Sequence, residues 1–199
     1  MNAGKSTLLL QCAHNYRERG MRVLLYTPAI DTRAGVGVIG SRIGLSAAAT
    51  PLTGKDDILE LVRAALREGP VACVLVDEAQ FLSPVQVDQL TDVADRFDIP
   101  IMAYGLRSDF QGNLFPGSAR LFALSDRVCE VKSLCFCGRK AIMNLRTCNG
   151  IPVREGAQIE IGGNDRYVPL CRRHFKEALN TGRVQVPIQR IPTSGESED

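Results

Sequence analysis

Lys5 and Ser6, set behind Gly4 and ahead of an apolar run, are residue types that hold phosphate. Backbone N–H groups at a helix N-terminus offer an anion site, and a lysine there adds a positive point charge. The serine hydroxyl at that position suits a magnesium ion. The full pattern is a Gly, four residues, then Gly-Lys-Ser/Thr, entered from a buried strand. Its first Gly would fall one position before Met1. The plainer alternative is a Gly-Lys-Ser helix start that binds nothing.

A second constellation stands in "VLVDEAQFL". Val74 to Val76 reads as a buried strand, with Asp77 where it emerges. An aspartate at such a place in phosphate-loop enzymes helps hold Mg²⁺. Glu78, next along, is suited to accept a proton from an attacking hydroxyl. Two carboxylates at a strand end are costly to bury without a cation or donors nearby. A helix-entry acidic pair or a surface turn would also account for them. The spacing from Lys5 suits two neighbouring strand ends of one sheet, so the two motifs together favour a nucleotide-phosphate site.

A third set is Cys135-x-Cys137 before a glycine and Cys171-x-x-His174. Three sulfurs and one imidazole make a closed tetrahedral set for a structural Zn²⁺. The segment between them is poor in apolar residues and needs a metal to fold. The one-residue gap in the first pair is tighter than the usual two, and ordinary thiols beside a helix-start histidine are the alternative. Zinc is preferred because both pairs flank one small Gly-rich segment.

The elements that must position these groups follow from periodicity. A helix is predicted from Gly4 to about Arg19, stopped by Gly20. "MRVLLYT", "VACVLVD", "IPIMAYGL" and "RVCEVKSL" have the length and apolar content of strands. Asp56 to Arg67 has helical spacing, and Ser83-Pro84 with Gln86 gives a capped helix start. Between the first two strands, "IDTRAGVGVIGSRIGLSAAAT" suggests a mobile connection. Strands alternating with helices imply α/β architecture, a parallel sheet covered on both faces. From Cys135 to about Arg173 short polar strands and turns take over, with "CNGIP" a hairpin turn and a short helix near His174 to Asn180. The tail "IPTSGESED" is polar and acidic, and is expected to be disordered.

The chain's 199 residues allow one core plus a small appendage, and 45% are apolar without a run long enough for a membrane span. A net charge of +2 gives no electrostatic case for nucleic-acid binding. Seven cysteines, four of them scattered singly at Cys12, Cys73, Cys129 and Cys148, without a secretory signal favour reduced thiols in the cytoplasm.

Taken in register, "MNAGKST", "VLVDEAQFL", "YGLRSDFQG", "CFCGRKA" and "IGGNDRYVPLCRRHF" resemble the type II thymidine kinases, bacterial branch, over nearly the whole chain to about Arg190. The tight Cys-x-Cys also occurs in that branch. The resemblance implies a RecA-like P-loop α/β domain over 1–134, a small zinc-ribbon-like lid over 135–190, and assembly as a homotetramer. It implies transfer of the γ-phosphoryl group of ATP to the 5′-hydroxyl of thymidine with Mg²⁺, and feedback inhibition by dTTP. Carried over by position, Asn2, Ala3, Gly4, Lys5, Ser6 and Thr7 match the phosphate loop. Asp77 matches the magnesium carboxylate and Glu78 the catalytic base, while Ala79 and Gln80 extend the nucleotide motif. Arg33, in "DTR", matches an arginine near the phosphates. Phe81, Leu106, Phe110 and Phe115 match residues that shape the nucleoside pocket. Ile159, Ile161 and Tyr167 match a lid loop that closes over thymine, and Met1, Leu106 and Tyr167 surround the thymine methyl.

On this reading Met1 is an internal methionine of the loop, and the first strand lies upstream of it. Open codons there encoding an apolar strand would mark a misassigned start. The same residues also admit a non-catalytic nucleoside- or zinc-binding remnant of the fold. A general P-loop ATPase with a nucleic-acid-binding zinc ribbon is a third possibility, disfavoured by the near-neutral charge.

Overall fold

The computed structural model describes residues 3–160 and 166–184. Helix α1, Lys5–Glu18, begins behind Gly4, whose φ of 82° is a left-handed conformation that glycine adopts without strain. It buries Leu9, Leu10 and Ala13 and stops at Arg19, one residue before the glycine expected to end it. Strand β1, Val23–Pro28, is buried at all but one position, as a parallel strand covered on both faces must be. The Gly- and Ala-rich stretch after it, expected as a connection, contains regular structure. It forms an antiparallel pair, β2 (Val38–Gly40) with β3 (Ser46–Ala48), followed by β4 (Thr50–Leu52). The small residues permit this close chain packing, and Ile39, 1% exposed, anchors the pair on the core.

Helix α2, Ile58–Glu68, starts at Asp57, whose carboxylate accepts from Glu60 N–H at 3.1 Å. Strand β5, Cys73–Val76, is buried throughout. Helix α3, Pro84–Phe97, carries the expected capping box between Ser83 and Gln86 with Pro at the first position. Strand β6, Ile101–Ala103, and helix α4, Pro116–Leu124, complete this part. The four parallel strands lie in the order β4-β1-β5-β6.

Alternation along the strands divides the core. Tyr26, Val74 and Val76 face Ile58, Val62, Val87, Leu90 and Val93 from α2 and α3. Leu25, Cys73 and Leu75 face Leu9, Leu10 and Ala13 from α1. Each such side chain contributes about 1.5–3 kcal/mol by leaving water. All four strands therefore end at one edge of a rigid two-sided layer, which is where Asp77 and Glu78 emerge.

The remaining strands form a separate antiparallel sheet, ordered β8-β7-β9: β7 Met143–Cys148, β8 Ile151–Pro152 and β9 Tyr167–Leu170. Asn149 and Gly150, at φ 50° and 77°, form the hairpin turn anticipated at "CNGIP". Helix α5, Arg172–Thr181, packs Phe175 and Ala178 on Leu145 and Leu170. "RVCEVKSL" is not a strand: Leu134 makes one isolated bridge to Lys140, and Val128 and Leu134 stay exposed because no sheet edge receives them. The expected tail lies outside the described residues. Among those residues no helix is long and apolar enough to cross a membrane.

Candidate active site and metal centre

At the N-terminus of α1, Ser6 Oγ donates to Asp77 Oδ2 at 2.7 Å. Helix start and strand end are thus joined by one short bond, with Lys5 and Thr7 in the same helical turn. Asp77 is 4% exposed, and among the described residues its Oδ1 has no hydrogen-bond partner. Burial, aided by the neighbouring Glu78, pushes its carboxyl up to about 6, and the Ser6 bond only partly opposes this. A buried carboxylate with an orphaned oxygen beside a serine hydroxyl is a donor set that fits a hard cation such as Mg²⁺.

Glu78 follows in a left-handed conformation, φ 46° and ψ 39°, which costs about 1–2 kcal/mol for a side-chain-bearing residue. Two groups hold its carboxylate. Arg33 Nη2 pairs with its Oε1 at 3.0 Å, and Gln80 Nε2 donates to its Oε2 at 2.6 Å. Arg33 is itself fixed by two 2.7 Å bonds to Asp31, the pairing that chiefly raises the guanidinium's pKa. The single 3-10 turn Ala79–Phe81 buries Ala79 fully, its N–H donating to Tyr104 C=O at 2.9 Å. Gln80, 1% exposed, uses its remaining oxygen to accept from Leu106 N–H at 2.9 Å. The amide therefore bridges Glu78 to the next loop.

Glu78, Arg33 and Gln80 form one wall of a cavity, and Phe81, Leu106, Phe110 and Phe115 form another. The Phe81 and Phe115 rings meet edge-on, 5.8 Å between centroids at 83°. The loop carrying Phe110 is built on Asp109, whose Oδ1 accepts from Gln111 N–H and Asn113 N–H, both at 2.9 Å. The β7–β9 unit closes the third side with Asn144, Gln158, Ile159, Glu160 and Tyr167. Gln158 Nε2 donates to Asp109 Oδ2 at 2.8 Å, and Tyr167 OH donates to Glu160 C=O at 2.9 Å. An apolar, aromatic slot with amide and carboxylate groups at its rim suits a flat polar ring such as a nucleobase.

Cys135, Cys137, Cys171 and His174 converge, with all four ligand atoms within 4.8 Å of one another. Cys137 Sγ lies 4.0 Å from Cys171 Sγ, and His174 Nδ1 lies 3.4 Å from Cys135 Sγ and 3.5 Å from Cys171 Sγ. Thiolates about 2.3 Å from a tetrahedral Zn²⁺ sit about 3.8 Å apart, so the donors fit such an ion. Phe136 stacks on the His174 ring at 4.4 Å, which fixes its plane.

Ser6, Arg33, Asp77, Glu78, Gln80, Phe81, Leu106, Phe110, Phe115, Ile159 and Tyr167 are thus brought to one region, while Met1, Asn2 and Ile161 lie outside the described residues. Ser108, Asp109, Asn144, Gln158 and Glu160 also line the cavity and were not singled out from sequence. Asp109 alone had a local signal, an aspartate opening a Gly-containing turn.

Comparison with known proteins agrees with this geometry. A family model described as thymidine kinase matches residues 1–175. A thymidine kinase of Ruegeria pomeroyi is 60% identical over 179 residues, 89% of this chain and 90% of that protein. One of Rhodopirellula baltica is 56% identical over 180 residues, covering 90% and 85%. One of Salmonella typhimurium is 54% identical over 191 residues, covering 96% and 93%. A family match over residues 1–175 and relatives at 54–60% identity over most of the chain show that it belongs to the thymidine kinase family.

Proposed function

We propose that the protein transfers the γ-phosphoryl group of ATP to the 5′-hydroxyl of thymidine, giving dTMP and ADP. The observation that carries this reading is Glu78, which stands in the cavity wall next in sequence to the Asp77–Ser6 pair. Acceptor and phosphate are thereby offered adjoining places. Phosphoryl transfer needs positioning and charge neutralisation more than covalent chemistry.

In this reading the first turn of α1 and Lys5 receive the phosphates, with Asn2, Ala3, Gly4 and Thr7 lending backbone and hydroxyl donors. Ser6 and Asp77 would hold Mg²⁺, which would supply charge neutralisation for the phosphates. Glu78 accepts the 5′-hydroxyl proton. Arg33 is the cation beside it, free to leave its carboxylate for a developing phosphate charge while Asp31 keeps it in place. Ala79 and Gln80 hold the turn behind the base. The aromatic slot takes thymine, with Ile159 and Tyr167 beside it; by position in the family, Met1 of the phosphate loop and Ile161 of the lid loop are assigned to the same base.

Two parts are assigned: a kinase part up to residue 134, and a lid from 135 whose Cys135, Cys137, Cys171 and His174 bind structural Zn²⁺. Homotetramer assembly, inhibition by dTTP and a cytoplasmic setting belong to the same proposal. One methyl in an apolar pocket is worth only about 1–3 kcal/mol, so deoxyuridine is expected to be a secondary substrate. The test is competition among thymidine, deoxyuridine and deoxycytidine with ATP. Thymidine is expected to lead deoxyuridine by about 10–200-fold in kcat/KM. Preference for deoxycytidine, or none at all, would overturn the reading.

A further inference from the structure

Arg146 is the one arginine in the lid sheet whose head group is sealed from water among the described residues: the residue is 3% exposed. A buried guanidinium is costly unless its donors are answered, and here they are answered in part, Nε having no hydrogen-bond partner among the described residues. Nη1 donates to Ala157 C=O at 2.8 Å and pairs with Glu160 Oε2 at 3.2 Å. Its carbon lies 3.6 Å from the centroid of the Phe110 ring, well inside cation–π range. Phe110, Glu160 and Tyr167 line the cavity and Arg146 does not, so the arginine reaches the cavity through the ring it stacks on and through these two lid residues. Gly156 completes the nest. Its φ is +138°, and a Cβ there would lie 2.5 Å from Arg146 Nη2.

We propose that Arg146 is a positioning residue for nucleoside recognition, locking the aromatic wall at Phe110 to the lid segment 157–160. The inference rests on the thymidine-kinase reading. A single planar cation stacks on a ring from the phosphate-loop part and bonds two groups of the lid. Lid seating and ring orientation are therefore one event, not two. Lysine retains the charge and one bond, but not the flat face or the fork. Among the described residues the contacts of Arg146 fall on Phe110, Ala157, Glu160 and Tyr167 and not on Lys5, Ser6 or Asp77, so its loss should divide the two substrates.

The test is titration calorimetry of thymidine and of ATP with the full-length wild type, Arg146→Met, Arg146→Lys, Phe110→Leu and the Met/Leu double variant. Arg146→Met is expected to weaken thymidine about tenfold with ATP affinity within about twofold, and Arg146→Lys to recover part of the loss. In the Phe110→Leu background the same change should matter less than in the wild type, because one of the groups it acts through is gone. Equal loss of both ligands, the full tenfold in both backgrounds, or unaltered thymidine binding would each overturn the proposal. Should Arg146→Met lose its zinc or its folding transition, Arg146→Lys and Gly156→Ala carry the test. Both must lower thymidine affinity selectively, and wild-type affinity in both refutes it. Failure of the wild type to bind thymidine would instead sink the functional reading itself.

Discussion

Asp77 is ionised at neutral pH only against its surroundings. Its folded pKa of about 6 stands above the ordinary 3.8, so the native state binds the proton more tightly than the unfolded chain. The stability from this group is fully present below pH 3.8 and is lost as pH rises through about 6, roughly 3 kcal/mol in all. Calorimetric melting of the metal-free protein should show Asp77→Asn stabilising at pH 7.5 and nearly neutral at pH 4. Mg²⁺-dependent ATP binding should fall as pH drops through 6, since protons and cation compete for one carboxylate. Gln80 makes the complementary case. Gln80→Leu leaves Leu106 N–H and one Glu78 oxygen unanswered, so chemical denaturation should show a loss of about 1–3 kcal/mol together with a lower kcat. Lys5, Ser6, Asp77 and Glu78 were legible in the sequence because each motif is local. Asn144 and Gln158 were not, since they reach the cavity only when the lid sheet folds over a loop more than thirty positions away.

Elements with dense local signals were equally readable. The capping box at Ser83, the Asn149-Gly150 turn and the apolar strands β1 and β5 all follow from short-range chemistry. The hairpin of β2 and β3 was hidden because small residues pair as strands only when a partner surface supports them, here α1. "RVCEVKSL" erred the other way, having strand composition but no edge to join. Helix α4 shows what such placement requires. At Gly117 a Cβ would lie 2.5 Å from Leu82 C=O and 3.0 Å from both Ala79 and Gln80 C=O. Only glycine lets the helix approach the turn that carries Glu78. Gly117→Ala should therefore cost about 1–3 kcal/mol in thermal or denaturant unfolding and raise the thymidine KM by moving Phe115.

At the scale of the whole molecule, the parallel sheet and the β8-β7-β9 sheet contribute to one site. The parallel layer has a two-sided apolar core, whereas among the described residues the buried cluster of the proposed lid is Cys135, Leu145, Leu170, Cys171, Phe175 and Ala178. On the zinc-lid proposal, a core of that size is expected to depend on the metal to hold its sheet. Removing zinc by chelation should raise amide exchange across β7, β9 and α5 while leaving β1 and β5 protected. Cys171→Ser should weaken thymidine more than ATP, and equal losses in calorimetry would refute a lid role. Glu78 as acceptor of a nucleoside hydroxyl proton is tested by comparing wild type and Glu78→Gln in ATP-dependent dTMP formation, with thymidine binding measured on both. The wild type should form dTMP, and the variant should turn over about 10²–10⁴-fold more slowly with thymidine affinity within about threefold. A wild type that binds thymidine without phosphorylating it, or a variant with undiminished turnover, would contradict this role of Glu78.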